Sequence, residues 1–342
     1  MKTERSGVSE QAHARASGRD AGTKTERSKV SAKAHASVSR RDAGANTKYQ
    51  RRLSMDTVPG EDAGDITPDS SASSAAAVTK LAAVQMISGP DVAPNLATAG
   101  RLIGEAAAAG ARLVALPEYF PLIGATDADR LAARELDGHG PIQDFLAHAA
   151  HRYGLWLIGG SIPLMAEDPA KLRNSCLVFD PQGQRVARYD KIHLFGFNKG
   201  DEAYDEAATI ERGEQVVAFD SPLGRIGIAI CYDLRFPELF RAMGDIDLLV
   251  LPAAFTETTG RAHWELLLRT RAVENQCYVL AAAQGGQHPN GRTTHGNSMI
   301  IDPWGEVLAR MDKGEGVVIT ELNRQRLVDT RASLPALKHR IL

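Results

Sequence analysis

From Lys80 onward, two kinds of apolar spacing alternate along the chain: unbroken aliphatic runs, and stretches in which apolar residues recur every three or four positions. The first kind predicts buried strands and the second amphipathic helices. KLAAVQM from Lys80, RLVALPE ending at Glu118 and LWLIGGS from Leu155 read as strands, and residues 95–109 and 142–153 read as helices. NSCLVFDPQG and QRVARYDK, joined at a Pro-Gln-Gly turn, predict an antiparallel pair. A polar loop is expected over residues 197–213. Beyond it, VVAFD, RIGIAICYD, LLVLPAA and CYVLAAAQ read as strands, with helices over residues 236–243 and 264–275. SMIIDPWGEVLARM and GVVITEL close the chain as strands around a Pro-Trp-Gly turn. Mixed strands with helices between them predict a layered α/β domain whose sheets are each covered by helices.

Residues 1–79 have a different composition. They are rich in Ala, Ser, Gly, Arg, Lys and Asp and nearly devoid of large apolar side chains, so they read as a disordered tail ahead of a domain spanning residues 80–342. The tail repeats itself: KTERSGVS at Lys2 returns as KTERSKVS at Lys24. That repeat is too polar to bury a face against a neighbour, which excludes a solenoid. Glu4, Glu10, Asp20 and Glu26 argue against an organelle transit peptide, and Met55 is a second candidate start.

Across all 342 residues, 43% are hydrophobic and the formal net charge is −2. Neither sign dominates, so charge gives no reason to expect nucleic acid or an anionic membrane as partner. No apolar run is long enough to span a bilayer, and the polar start lacks the core of a secretory signal, so a cytoplasmic location is expected. The three cysteines, Cys176, Cys231 and Cys277, are widely spaced, which argues against a disulfide framework and a structural metal. Cys176 and Cys277 lie in apolar runs and read as small core residues.

Cys231 has other surroundings. It ends the run RIGIAIC and is followed by the polar, helix-forming YDLRFPELF, which places a thiol where a strand gives way to a helix. Backbone N–H groups and a helix N-terminus there are expected to favour a thiolate and to hold an oxyanion. Glu118 closes the strand LVALPE, where it is either a helix cap or a site residue. Lys191 follows ARYD and precedes IHLF, a poor setting for an ordinary surface lysine. His193 and His263 are candidate partners for a Cys/His enzyme, but the helical spacing around His263 favours packing or a supporting hydrogen bond instead.

LPEYF, YDKIHLF and ICYDLRFPE, in that order, resemble the Glu, Lys and Cys signatures of the nitrilase-like carbon–nitrogen hydrolase superfamily. The resemblance covers residues 80–342 and implies an α-β-β-α sandwich, no metal or organic cofactor, and assembly as a homodimer or larger oligomer. It makes Cys231 the nucleophile that attacks an amide carbonyl, Glu118 the base that takes the thiol proton and passes it to departing ammonia, and Lys191 with the Tyr232 N–H the oxyanion stabilisers. A further family glutamate falls on Glu206 in EAATIERG, where Ala207 and Arg212 depart from the usual Ser and Pro. It implies a role in holding Lys191 and the substrate amide.

Arg235 lies four residues past Cys231, within reach of the same pocket, and suits bidentate capture of a substrate carboxylate. An ion pair with Asp233 or Glu238 is the alternative. Phe255 and Thr259 in PAAFTETTG resemble pocket-lining positions of relatives acting on keto-acid amides. The stretch from His263 through GNSMIIDPWG is most similar to the branch that hydrolyses deaminated glutathione, with the omega-amidases that act on 2-oxoglutaramate as near neighbours. Another amidase, a nitrilase or a carbamoylase remains an alternative within the superfamily. A catalytically silent binding partner is the alternative of a different class, which intact Glu118, Lys191 and Cys231 disfavour.

Overall fold

The structure is a computed structural model that describes residues 79–200 and 202–341. Apart from Thr79, the expected disordered tail lies outside the described residues. The chain runs through β1 (Thr79–Gln85), α1 (Val92–Ala108), β2 (Ala111–Ala115), α2 (Asp127–Ala132), α3 (Pro141–Tyr153), β3 (Trp156–Ile158), β4 (Ile162–Met165), β5 (Leu172–Phe179) and β6 (Arg185–Asp190). A small hairpin, β7 (Gly196–Lys199) with β8 (Glu202–Asp205), leads to β9 (Ala218–Ser221), β10 (Gly224–Ile228), α4 (Pro237–Ala242), β11 (Leu248–Ala253) and α5 (Glu257–Asn275). The remainder is β12 (Tyr278–Ala283), β13 (Ser298–Ile301), β14 (Val307–Met311), β15 (Gly316–Leu322) and α6 (Arg324–Ser333).

Two mixed sheets result, one ordered β15-β1-β2-β3-β5-β4 with β6 added on β5, the other β14-β13-β12-β11-β10-β9. Strand β1 shows why they stack. Side chains alternate across a strand, so a strand apolar at every position needs cover on both faces. Leu81 and Ala83 join the apolar cluster of the second sheet with Ile228, Val250 and Ala281, whereas Ala82 and Val84 pack with Leu102 and Ile103 of α1 and Leu146 of α3. On the far side of the second sheet, Trp264, Leu268 and Ala272 bring α5 into the same cluster. The layers are helix, sheet, sheet, helix, the expected α-β-β-α sandwich.

Several local expectations differ from the structure. The strand read as RLVALPE stops at Ala115, because Pro117 has no N–H for the ladder, and Glu118 lies three residues beyond it. The expected loop over 197–213 contains the hairpin β7–β8, whose polar residues give no alternation to read. Helix α5 starts at Glu257, not near Trp264, because the Thr256 hydroxyl caps it by accepting the Thr259 N–H at 3.2 Å. Helices α2 and α6 and strand β4 were not foreseen.

The first and last strands of the sandwich pair with each other. β15 runs antiparallel to β1 in unbroken register from Thr79↔Leu322 to Gln85↔Gly316. Gln85 fastens the junction: its Nε2 donates to the Gly314 carbonyl at 3.0 Å and its Oε1 accepts the Ser298 N–H at 2.9 Å.

Candidate active site

The segments carrying Glu118, Lys191 and Cys231 all lie just past strand ends and converge. After Glu118 the backbone turns sharply, with Tyr119 at φ 55°. Such a left-handed conformation costs a non-glycine residue about 1–3 kcal/mol and persists only when its surroundings impose it. Here the Tyr119 N–H donates to the Ser161 hydroxyl at 3.0 Å, and Gln284 Nε2 donates to the Glu118 carbonyl at 3.1 Å. Lys191 directly follows β6, its N–H donating to the Asn174 carbonyl at 2.9 Å.

Cys231 is the second residue near the site forced left-handed, at φ 49°, and it opens a 3-10 turn, Cys231–Arg235. Buried Asp233 holds that turn by accepting from the Ile230 N–H at 2.9 Å, the Tyr189 hydroxyl at 2.7 Å and the His193 N–H at 3.0 Å. Tyr189 belongs to β6, so Asp233 links the cysteine turn to the strand that presents Lys191. His193 thus takes part through Asp233, with its ring stacked on Phe236 at 3.7 Å.

The side chains of Lys191 and Glu118 are 0% and 1% exposed. Lys191 Nζ donates to Glu118 Oε1 at 2.9 Å and to both Glu206 oxygens at 2.8 and 3.1 Å. Asn174 Nδ2 adds a donor to Glu118 at 3.0 Å, and Glu206 also accepts from the Tyr119 hydroxyl and the Phe195 N–H, each at 2.7 Å. Burial works against the ammonium, but Glu118 and then Glu206 outweigh it and hold the Lys191 pKa well above its ordinary value. Burial likewise opposes the Glu206 carboxylate, yet Lys191 and the surrounding donors bring its pKa below the usual range.

At Cys231 the balance runs the other way. Burial first, then the Glu118 charge and a hydrogen bond to Glu118, push the thiol well above its ordinary pKa, with Lys191 opposing. The expectation of a stabilised thiolate is therefore not met. Burial is the main cause; in addition, a five-residue 3-10 turn separates Cys231 from the α-helix α4, which begins only at Pro237. The raised pKa favours the thiol form, hydrogen-bonded to Glu118.

Arg235, Tyr232, Phe255 and Thr259 line a cavity of about 10 Å³ over Cys231, together with Phe195 and Thr256. That is about the room needed for a single water molecule, so a substrate must displace side chains to enter. Tyr232 is in the first turn of the 3-10 segment, where such turns leave N–H groups without internal acceptors. Arg235 makes neither alternative ion pair: Asp233 is engaged elsewhere and, among the described residues, no carboxylate pairs with the guanidinium. It lies over the Phe255 and Tyr232 rings at 5.4 and 5.7 Å, and its Nη1 meets His263 Nδ1 at 3.2 Å. His263 is exposed, so its part is this hydrogen bond and not packing.

Sequence reasoning missed Tyr119, Asn174 and Asp233. Asp233 had a signal, an Asp three positions after the last apolar residue of a strand, which is where a turn-capping carboxylate belongs. Cys176 and Cys277 are fully buried in the core, as expected, and burial pushes the Cys277 thiol up to about 12. Among the described residues, no group of three or more His, Cys, Asp or Glu could hold a metal ion, and no helix is long and apolar enough to cross a membrane.

A helix-covered double sheet that buries a Glu-Lys-Cys cluster is the architecture of a hydrolase class to which the known proteins assign this chain. Residues 80–332 match the family model for carbon-nitrogen hydrolases, and the chain belongs to that family. It is accordingly a hydrolase acting on carbon–nitrogen bonds other than peptide bonds. It is 41% identical over 266 residues to deaminated glutathione amidase of Synechocystis sp., covering 76% of this chain and 97% of that protein. Omega-amidase NIT2-A of Xenopus laevis is 40% identical over 264 residues, covering 76% and 94%. The crystal structure of Saccharomyces cerevisiae Nit3, a member of branch 10 of the nitrilase superfamily, superposes with a TM-score of 0.69 at 30% identity, covering 78% and 97%.

Proposed function

We propose that residues 80–342 form an amidase acting on amides of 2-oxo dicarboxylic acids, with deaminated glutathione as substrate and Cys231 as nucleophile. The observation that carries the mechanism is the fully buried Lys191 ammonium held between Glu118 and Glu206 beside a neutral Cys231 thiol. The thiol sulfur attacks the amide carbonyl carbon as its proton passes to Glu118. Lys191 and the Tyr232 N–H stabilise the oxyanion, in a site dry enough for fixed charges to act strongly. Glu118 returns the proton to the amide nitrogen as the C–N bond breaks, leaving a thioester. The leaving amine is ammonia in a primary amide and the α-amine of a Cys-Gly unit in deaminated glutathione. Glu118 then takes a proton from water, which attacks the thioester; the acid departs and the thiol is restored.

Arg235 supports the substrate choice, since a half-buried guanidinium over the thiol cavity without a protein carboxylate suits the acid end of a 2-oxo dicarboxylate. The likeness to the cyanobacterial deaminated glutathione amidase points the same way. Hydrolysis of 2-oxoglutaramate is the second reading, favoured by the likeness to omega-amidase. Three buried free cysteines support a reducing, cytoplasmic compartment. The homodimer or larger assembly is supported by Leu266 and Val273 of α5 and nearby Trp304, which stand 67%, 48% and 55% exposed.

The test is a rate panel on deaminated glutathione, 2-oxoglutaramate and an uncharged amide of similar length, with Cys231→Ala as control. Deaminated glutathione is expected to show the highest kcat/KM, and Cys231→Ala to lower turnover at least ~10⁴-fold while staying folded, the scale of losing a covalent nucleophile. Activity retained in a folded Cys231→Ala protein overturns the assignment of the nucleophile.

A further inference from the structure

A second cavity, of about 360 Å³, opens beside the catalytic one and falls within the size range of small-ligand sites. Its walls include Tyr119, Arg130, Tyr204, Asn290 and Arg292, with Asp127 at the edge. It shares structure with the reaction site at three points. Tyr119 is the residue whose hydroxyl donates to Glu206. Tyr204 packs at 5.4 Å on Phe195, which lines the thiol cavity. Arg292 Nη2 donates at 3.2 Å to the carbonyl of Ala254, another residue lining that cavity.

Charge is unevenly satisfied in this second cavity. Arg130 is paired with Asp127 and its guanidinium lies 4.9 Å from the Tyr119 ring centroid. Arg292 lies 5.2 Å from the Tyr204 ring centroid, and among the described residues its guanidinium meets the Ala254 carbonyl and no carboxylate. Two guanidinium groups against one carboxylate leave a positive cavity. A carboxylate fits both the charge and the planar donor geometry.

We infer that this cavity is the leaving-amine subsite: it takes an anionic group on the amine side of an N-substituted amide, with Arg292 donating to a carboxylate there. The inference rests on the proposed amidase reading and deepens it. Arg235 would hold the acid end of the acyl part, and Arg292 the terminal carboxylate of a short peptidyl amine such as Cys-Gly. A primary amide such as 2-oxoglutaramate has no group to place in this cavity.

Three substrates decide it: deaminated glutathione, its analogue with the terminal carboxylate converted to a carboxamide, and 2-oxoglutaramate. Their kcat/KM values are measured for the full chain and for Arg292→Gln. The unaltered enzyme is expected to prefer the carboxylate over the carboxamide by about 10-fold or more, the scale of one charge-assisted hydrogen bond. Arg292→Gln should erase that preference by lowering only the rate on deaminated glutathione. Equal rates of the unaltered enzyme on carboxylate and carboxamide overturn the subsite, even if the variant fails to fold. Equal losses on all three substrates in a folded variant also overturn it, and show that Arg292 serves only to brace Ala254. Both outcomes leave the substrate reading standing. An unaltered enzyme that hydrolyses 2-oxoglutaramate but not deaminated glutathione removes that reading, and the subsite with it.

Discussion

The two walls of the site are built by opposite means. The wall from the first sheet and the hairpin is a closed electrostatic unit, in which Lys191, Glu118 and Glu206 are joined at 2.8–3.1 Å and tied to Asn174, Tyr119 and the Phe195 backbone. The wall from the second sheet is loose by comparison. Arg235 is half-buried and held by two aromatic rings and a histidine nitrogen, and Phe255 and Thr259 line the cavity beside it. Charges that take part in bond making gain from being fixed and dry, whereas a charge that selects a substrate must be left free enough to receive it. Fold stability should therefore depend strongly on the first wall and weakly on the second.

The largest expected effect is from Lys191→Met. It leaves Glu118 and Glu206 as facing carboxylates without their cation, so stability should fall by about 3–5 kcal/mol and turnover should drop to background. Urea unfolding alongside a rate assay checks both. An unchanged midpoint would mean that the first wall is not the structural unit described. Arg235→Lys should do the reverse, since a point charge does not reproduce a planar fork. Transition-state binding of 2-oxo-acid amides should weaken by about 1.5–3 kcal/mol with little change in Tm, and uncharged amides should be affected much less. Equal losses on all amides would make Arg235 a structural residue and erase the contrast. The smallest signal expected comes from Cys231. Its raised pKa keeps the thiol protonated at pH values near about 8.5, where a free cysteine is half ionised. Thiolate absorbance at that pH should then be the same for the unaltered protein and Cys231→Ser. A Cys231-dependent thiolate already present near neutral pH would remove the need for Glu118 to take the proton.

The strand-end positions of Glu118 and Cys231 could be read because each follows an apolar run, and that of Lys191 because the apolar Ile192, Leu194 and Phe195 come directly after it. Continuous apolar strands also announced sheets covered on both faces, since a strand such as β1 has no face fit for water, whereas the two-sheet sandwich came from likeness to other sequences. Glu206 was placed only by likeness to other sequences: EAATIERG is polar throughout, and the hairpin that delivers it carries no periodicity. Tyr119 and Asn174 were missed because their part depends on long-range approach. Asn174 sits on β5 and meets Glu118 across the sheet, a neighbour that no local spacing reveals. The altered ionisation of Cys231 was misjudged for a similar reason, since burial by distant residues outweighed the few backbone dipoles that the sequence suggested.

The pairing of β1 with β15 bears on how the enzyme is made. Strand β1 is among the first parts of the domain to leave the ribosome, yet its partner on one edge is among the last. At about 5–20 residues per second, synthesis keeps that edge waiting on the order of ten seconds or more. Throughout that interval an apolar strand exposes unpaired N–H and C=O groups, the kind of edge that recruits foreign strands. Helix α1 and strand β2 follow at once and can shield its face and its other edge during the wait. A nascent chain stopped before Gly316 would retain every residue assigned to the chemistry and still lack the strand that closes the sheet behind Glu118.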